Sequence, residues 1–168
     1  RTQTWTSIEI AQEGRERPSN RYGHVMVADE EEDRLIIVGG VTKKQGLKEM
    51  WQFDLGTHTF SRIIPINIEQ YYNDIPVRYA TAAHVGSYVL LCGGDVELKA
   101  SMLGEQVLRR LDGVLIFNTE SNSISKIAMT PGPTCEFRRA VTLDDGWVTL
   151  FDHASRNYSS DIDSHYSP

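Results

Sequence analysis

The sequence has few of the features that identify membrane, secreted or nucleic-acid-binding proteins. Its 168 residues include two cysteines, too few for a disulfide framework, so we expect a cytoplasmic or other reducing intracellular compartment. No apolar run approaches the roughly 20 residues that cross a bilayer. Seventeen basic and 23 acidic residues give a formal net charge of −6, which disfavours phosphate backbones and anionic membranes. We therefore expect neither nucleic acid nor membrane as a partner.

The sequence also lacks a pattern for catalysis or for cofactor binding. Its five histidines are scattered, and none has the spacing of a metal site. Its glycine pairs lack the further glycines or the Lys-Ser/Thr ending of a phosphate-binding loop. Asp152 and His153 are residue types of a catalytic triad, but they begin a polar tail with no oxyanion donor. We predict no catalytic residue, no metal and no cofactor.

What the sequence does contain is an internal repeat, in which an apolar run ends in two glycines. The glycines are Gly39, Gly40, Gly93 and Gly94. Arg21 precedes the first run and Arg78 precedes the second, so we expect these arginines to be equivalent parts of the fold. The pattern that begins at Trp5 returns at Phe60 and at Ile124. A β-sandwich has no reason to repeat in this way, and the Trp-Asp dipeptide of a WD propeller is absent.

Each repeat predicts four short β-strands. In the first repeat we expect strands at 22–28, 35–38, 50–55 and 59–64, separated by polar turns. The acidic run 30–33 is expected to be a solvated hairpin tip. A four-strand unit of about 50 residues, with an apolar central strand, is typical of a propeller blade.

These units resemble kelch repeats, in which apolar residues, a double glycine, an aromatic-Asp pair and a Trp follow in that order. Phe60 and Ile124 replace the Trp, and Asn118 replaces the Asp of the second repeat. The resemblance implies an all-β fold, a partial β-propeller of four-stranded antiparallel kelch-type blades. The expected parts are an outer strand at 4–8, a blade at 18–64, a blade at 76–128, a half blade at 133–151 and a polar tail, loop or disordered, at 152–168.

Two further expectations follow from the propeller architecture. Aromatic residues at equivalent blade positions should be core anchors rather than a ligand platform, and these are Trp5, Trp51, Phe53, Phe60, Phe117 and Trp147. Because propellers close with about four to eight blades, the repeat count predicts a fragment of a longer propeller or a half-propeller that another chain completes.

Two connections are candidate protein-binding loops, because a propeller presents its loops on rigid sheets. The link between the blades carries tyrosines that fit either an interface or ordinary loop packing. The insertion between Gly94 and Leu115 has apolar residues at helical spacing, and the amphipathic helix this predicts would contact a partner or fold over its own blade. The candidate partner-binding residues are Tyr71, Tyr72, Leu103, Val107, Arg109 and Arg110.

The sequence favours a noncatalytic protein–protein interaction or scaffold module. Resemblance to kelch proteins implies an adaptor or scaffold, a cytoskeletal or polarity role, or substrate recruitment to a ubiquitin ligase. Two alternatives stay open: a structural subunit of a large assembly with its blade edges docked on other chains, and part of an enzyme or sugar-binding propeller whose site residues lie outside this chain. The expected partners are proteins, among them the chain that completes the propeller.

Overall fold

Antiparallel β-sheets are the main regular structure of the described backbone. The computed structural model describes residues 4–11, 16–98, 107–128, 137–142 and 148–152. Over these ranges the strands are β1 Val25–Asp29, β2 Arg34–Val38, β3 Met50–Asp54, β4 Thr59–Ile63, β5 Thr81–Val85, β6 Tyr88–Cys92, β7 Asp95–Leu98, β8 Val107–Arg110, β9 Val114–Asn118, β10 Ser123–Ile127, β11 Phe137–Thr142 and β12 Val148–Asp152. Helix α1, Ile68–Tyr71, continues into a 3-10 turn, Tyr72–Asp74.

The strands form two four-stranded sheets and two hairpins. The first sheet has the order β1-β2-β3-β4, and the second has the order β5-β6-β9-β10. Strands β7 and β8 form a hairpin of their own between β6 and β9, while β11 and β12 pair separately. The sheets confirm an all-β, partial propeller, and they lie within the predicted blades 18–64 and 76–128. The tail after residue 152 lies outside the described residues.

Matching turns at the β3–β4 and β9–β10 connections show why the two blades share a pattern. The Asp54 carboxylate accepts a hydrogen bond from the Thr57 backbone N–H at 2.6 Å. The Asn118 side-chain oxygen accepts the equivalent bond from Ser121 at 2.8 Å. Either side chain closes the turn by accepting from a backbone N–H, so the replacement of Asp by Asn in the second repeat preserves the local structure.

The hydrophobic core lies between the facing surfaces of the two four-stranded sheets. Apolar side chains of the central strands are its main components, because these strands are covered on both faces. Its buried members are Ile36, Val38, Met50, Ile75, Val89, Leu91, Val96, Leu111, Leu115, Phe117 and Ile124. The core therefore includes residues of the blade link and of the insertion, which fixes both of these connections to the sheets.

The first glycine pair allows the blade link to pass directly over the end of β2. Gly39 and Gly40 have φ values of +68° and +105°, a backbone region that suits glycine. A β-carbon on Gly39 would collide with the Pro76 carbonyl oxygen, and one on Gly40 would lie 2.9 Å from Cδ of Arg21. The Gly40 N–H donates to the Val77 carbonyl at 2.7 Å. These contacts account for both glycines by a turn and a close backbone approach.

The core-anchor prediction is confirmed for three of the six aromatic residues. Trp51, Phe53 and Phe117 are buried. The Phe60 ring packs on Phe53 at a centroid distance of 4.7 Å and is partly exposed, while Trp147 lies outside the described residues.

The prediction is wrong for Trp5, which is fully exposed, and the expected strand at 4–8 is not formed. The hydrogen bond from the Ala11 N–H to the His58 carbonyl, 3.1 Å long, ties this segment to the first blade beyond the predicted strand.

The predicted helix in the insertion is also wrong, because β7 and β8 form an antiparallel hairpin. Val96 pairs with Arg109 and Leu98 pairs with Val107. Leu111 is buried while Leu108 remains more than one-third exposed, whereas one apolar helix face would bury both. A short apolar run fits helical and strand patterns equally well, and here backbone pairing decides between them. Leu103 lies outside the described residues.

We predict that Gly39→Ala destabilises the fold by about 2–4 kcal/mol, because it combines left-handed strain with overpacking against the blade link. Gly56→Ala is the matched control, since the nearest atom to its added β-carbon is 3.5 Å away. Chemical denaturation of both variants measures the difference. Equal midpoints for the two variants would contradict the proposed role of the glycine turn.

Candidate protein-interaction surface

One end of the two blades carries the long connections. In an antiparallel sheet successive turns alternate between the two ends, so connection 39–49, the blade link 64–80 and the described parts of the insertion, 93–98 and 107–113, start at one end, called here the connection end. Ile64 and Ile66 of the blade link also bond to Asn122 in the turn 118–123. The short turns 29–34, 54–59, 85–88 and 118–123 form the hairpin end. The corresponding ends of the blades lie together because residues of the blade link bond to Gly40 and to Asp95.

Four charged side chains join the blade link, the insertion hairpin and the outermost strand of the second blade. Asp74 Oδ1 accepts hydrogen bonds from Arg109 Nη2 at 2.7 Å and from Lys126 Nζ at 2.9 Å. Asp112 Oδ1 accepts from Arg109 Nη1 at 3.0 Å and from Lys126 Nζ at 2.7 Å. The four residues, called here the charge clamp, alternate in sign around a ring, so each charge has two opposite neighbours.

The charge clamp shifts the pKa values of Arg109, Asp112 and Lys126 toward their charged forms. A hydrogen bond from Lys126, supported by Arg109, lowers the pKa of Asp112 to about 2. Burial lowers the pKa of Arg109 and of Lys126, but the hydrogen bonds to Asp74 and Asp112 outweigh burial and raise both pKa values. These three shifts favour the ionised forms that make charge-assisted hydrogen bonds.

The base of the insertion hairpin is held by a further carboxylate, Asp95, which is buried. Asp95 is 8% exposed; its Oδ2 accepts from Arg78 Nε at 2.9 Å, and its Oδ1 lies 3.0 Å from Arg110 Nη1. The Val77 N–H donates to the Asp95 carbonyl and the Asp95 N–H to the Arg78 carbonyl. Together with the charge clamp, these bonds fix the hairpin to the blade link at two points.

The structure brings only part of the predicted partner-binding set to one surface. Tyr72 is 48% exposed, and its ring lies 5.0 Å from the Lys48 ammonium group. Tyr71 instead packs against the hydrophobic core. Arg109 and Arg110 lie nearby on β8, each in an ion pair with an aspartate.

Val107 also lies in β8, while Leu103 falls outside the described residues. Sequence reasoning missed Asp74, Asp112 and Lys126, since no periodic pattern marks them. Asp95 could have been found from the sequence, because the second repeat has this acidic residue directly after its glycine pair where the first repeat has the apolar residue Val41.

The expected equivalence of Arg21 and Arg78 is wrong by one residue of register. Tyr22 pairs with Val41 and Arg78 pairs with Asp95, and both partners directly follow a glycine pair. Arg78 therefore occupies the position of Tyr22. The Arg21 side chain is 4% exposed, donates from Nη1 to the Gly39 carbonyl at 3.0 Å and pairs with Glu49, so it is an internal part of the first blade.

The described part of the chain contains no group of three His, Cys, Asp or Glu side chains that could hold a metal. No helix within it is long and apolar enough to span a membrane. A cavity between β1 and β5 is lined by Val27, Ala28, Glu30, Glu31, Ala82, Ala83 and His84. Nε2 of His84 lies 3.7 Å from Oδ1 of Asp29, but these residues do not form a recognisable catalytic arrangement.

We predict that Asp74→Asn loosens the insertion hairpin while the sheets stay folded, because Arg109 and Lys126 lose one of their two carboxylate partners. Loss of such partly buried charged hydrogen bonds corresponds to about 1–2 kcal/mol, or roughly five- to thirtyfold faster amide exchange in β7 and β8. Asp54→Asn is the control, since Asn118 already closes the equivalent turn. Unchanged exchange in Asp74→Asn would contradict the role of the clamp.

The pH dependence of the hairpin follows from Asp112. Its pKa is lowered from 3.8 to about 2 in the folded protein, so its contribution is fully present above pH 3.8 and is lost as the pH falls through 2. The side chain is 69% exposed, which makes this contribution modest. We expect amide protection of the hairpin, corrected for intrinsic exchange, to hold from pH 7 to pH 4 and to fall toward pH 2. Loss already at pH 5–6 would contradict this assignment.

Comparison with known proteins gives the family. The family model described as the KLHDC2/KLHL20/DRC7 Kelch-repeats domain matches residues 1–163. The comparison with curated proteins gave no match. Kelch-repeat domains generally mediate protein–protein interactions and are typically noncatalytic. The match covers nearly the whole chain and agrees with the four-stranded blades and their glycine turns, so the chain belongs to the kelch-repeat family.

Proposed function

We propose that the chain is a noncatalytic protein-interaction module that binds its partner through the connection end. The observation that carries the proposal is the charge clamp, which joins the blade link that carries Tyr72 to the insertion hairpin. Both regions were candidate binding loops on sequence grounds. Asp74, Arg109, Asp112 and Lys126 hold them in one fixed arrangement.

A fixed arrangement favours binding because these loops lose little conformational entropy when a partner docks. Tyrosine and arginine are enriched in the buried centres of protein interfaces. At the connection end, Tyr72 begins the 3-10 turn and presents a half-exposed ring whose centroid lies 5.0 Å from the Lys48 ammonium group. The surface thus combines an aromatic anchor with a polar surround, which suits a protein partner.

The insertion hairpin is the feature that distinguishes the two blades. The corresponding connection of the first blade, 39–49, is shorter than the insertion and is closed by hydrogen bonds between Thr42 and Gln45. We therefore assign partner selection to the second blade. Scaffolding, cytoskeletal or polarity roles and recruitment to a ubiquitin ligase are all compatible with this proposal. The proposal includes a reducing compartment, in keeping with Cys92, a buried thiol whose pKa burial raises to about 11.

Exposed apolar side chains favour a second candidate, the structural subunit. Met26 on β1 and Ile127 on β10 are each more than half exposed. The strand register places Met26 on the face of the first sheet that points away from the core residue Val38. It likewise places Ile127 on the face of the second sheet that points away from the core residue Leu115. Blades or other chains that dock on these two faces would cover both side chains.

The test compares two tyrosines with the same exposure. Tyr72 at the connection end and Tyr88 at the hairpin end are both 48% exposed. We predict that Tyr72→Ala in the full-length protein lowers recovery of co-purifying partners from its native cells at least tenfold, because it removes the aromatic anchor, while Tyr88→Ala leaves recovery unchanged. Quantitative mass spectrometry measures recovery, and thermal melts check that both variants fold. Equal effects of the two changes would overturn the proposal.

A further inference from the structure

Tyr79 has a backbone conformation that is unfavourable for a large side chain. Its φ is +59°, in the left-handed region that residues other than glycine, asparagine and aspartate rarely adopt. The other described non-glycine residues with positive φ are Asp33, His58 and Asn122, all in polar hairpin turns. Such strain persists only where the surrounding structure imposes it, and it is concentrated at functional sites.

The strand register shows what the fold requires at this position. Because Tyr22 pairs with Val41 and Arg78 with Asp95, Tyr79 occupies the position that Gly23 has in the first blade. Gly23 also has a positive φ, +67°, which glycine adopts without strain. The turn therefore requires a left-handed residue, and glycine satisfies that requirement in the first blade. The second blade has a tyrosine there instead.

Packing does not account for the tyrosine. The Tyr79 side chain is 51% exposed and the neighbouring Tyr22 is 56% exposed, so neither ring is a core residue. The Tyr79 N–H donates to the Gly23 carbonyl at 3.0 Å, a bond that any residue except proline would make. The ring lies 5.2 Å from the guanidinium carbon of Arg78. The Tyr79 ring is therefore exposed and available for contact with another molecule, although its backbone conformation is strained.

The charges around Tyr79 indicate the chemistry of that molecule. The Arg78 side chain is about one-third exposed, and its guanidinium and the phenol groups of Tyr22 and Tyr79 all offer hydrogen-bond donors. Lys43 and Lys44 are exposed at the same end. At the hairpin end, residues 30–33 are four consecutive exposed acidic side chains. The carboxylates of Asp74, Asp95 and Asp112 at the connection end each lie within 3.0 Å of a cationic side chain. The exposed lysines and Arg78 therefore favour an acidic segment at this end, and the acidic run 30–33 disfavours it at the other end.

We propose that Tyr79 and Arg78 form a contact point for an acidic segment of a protein partner. Arg78 would bind a carboxylate of this segment, while the ring of Tyr79 covers the stem of the acidic side chain and excludes water. The inference rests on the proposed function and names the partner chemistry of the same surface. Tyr79 replaces a glycine that would satisfy the fold, which assigns it to binding rather than to folding.

The test measures stability and binding separately. Tyr79→Gly should melt at the same or a higher temperature than the unmodified protein, because relief of strain offsets the lost ring contacts. Tyr22→Gly is the matched stability control and should melt at a lower temperature, because its backbone pairs with Val41 in the ordinary β-bridge pattern and glycine adds only unfolded-state entropy. A fall in melting temperature for Tyr79→Gly equal to that for Tyr22→Gly would overturn the inference.

Binding is measured with a fluorescein-labelled dodecapeptide of Glu, Gly and Ser and with its counterpart in which Lys replaces Glu. The acidic peptide should bind at least tenfold more tightly than the basic one, and Tyr79→Gly should remove this preference while Tyr88→Ala retains it. No preference for the acidic peptide would overturn the partner chemistry. The proposed function would then still stand if Tyr72→Ala, but not Tyr88→Ala, reduces recovery of the natural partner.

Discussion

The close backbone approach between the blade link and the Gly39-Gly40 turn is the constraint on which the rest of the structure depends. Pro76 and Val77 pass so close to this turn that no β-carbon fits between them. The contact sets where the second blade starts relative to the first, and the two sheets then bury their facing surfaces around Ile75. It also determines where Asp74 and Arg78 lie, immediately before and after the point of contact.

Electrostatic pairing then fixes what the packing leaves open. The insertion contributes Val96 and Leu111 to the hydrophobic core, and charged side chains connect it to the blade link. Two carboxylates, Asp74 and Asp95, hold it to the blade link through Arg109 and Arg78. Because a partly buried ion pair with additional hydrogen bonds is stronger than an exposed one, these contacts are suited to orienting the hairpin. The sheets supply stability, and the charged contacts supply the geometry of the proposed binding surface.

Sequence patterns predicted the sheets because strand periodicity and glycine turns are local properties. The central strands 35–38 and 88–92 are apolar throughout, and Gly39 and Gly93 end them as expected. The secondary structure of the insertion was not predicted, because its apolar spacing fits a helix as well as a strand. Only the pairing of β7 with β8 decides between the two. Trp5 was misjudged because burial depends on what packs against it, which a repeat pattern does not specify.

The site was predicted less well than the fold because it is made by long-range contacts. Tyr72 in the blade link and Arg109 in β8 were identified as separate candidates. Nothing in the sequence shows that Asp74 of the blade link bonds to Arg109 and so connects the two segments. The expected match of Arg21 with Arg78 was misleading, since the strand register makes Tyr22 the equivalent of Arg78. That register places Tyr79 at a glycine position, which neither composition nor spacing indicates.

The most direct test of the account is a hydrogen-exchange footprint of the full-length protein in complex with its natural partner. The account predicts that binding protects amides at the connection end, in segments 68–80 and 93–98 and in β8. The turns 29–34, 54–59 and 118–123 should exchange at the same rate with and without the partner. Protection of those turns, with no change in β8 and the blade link, would contradict the assignment of partner binding to the connection end.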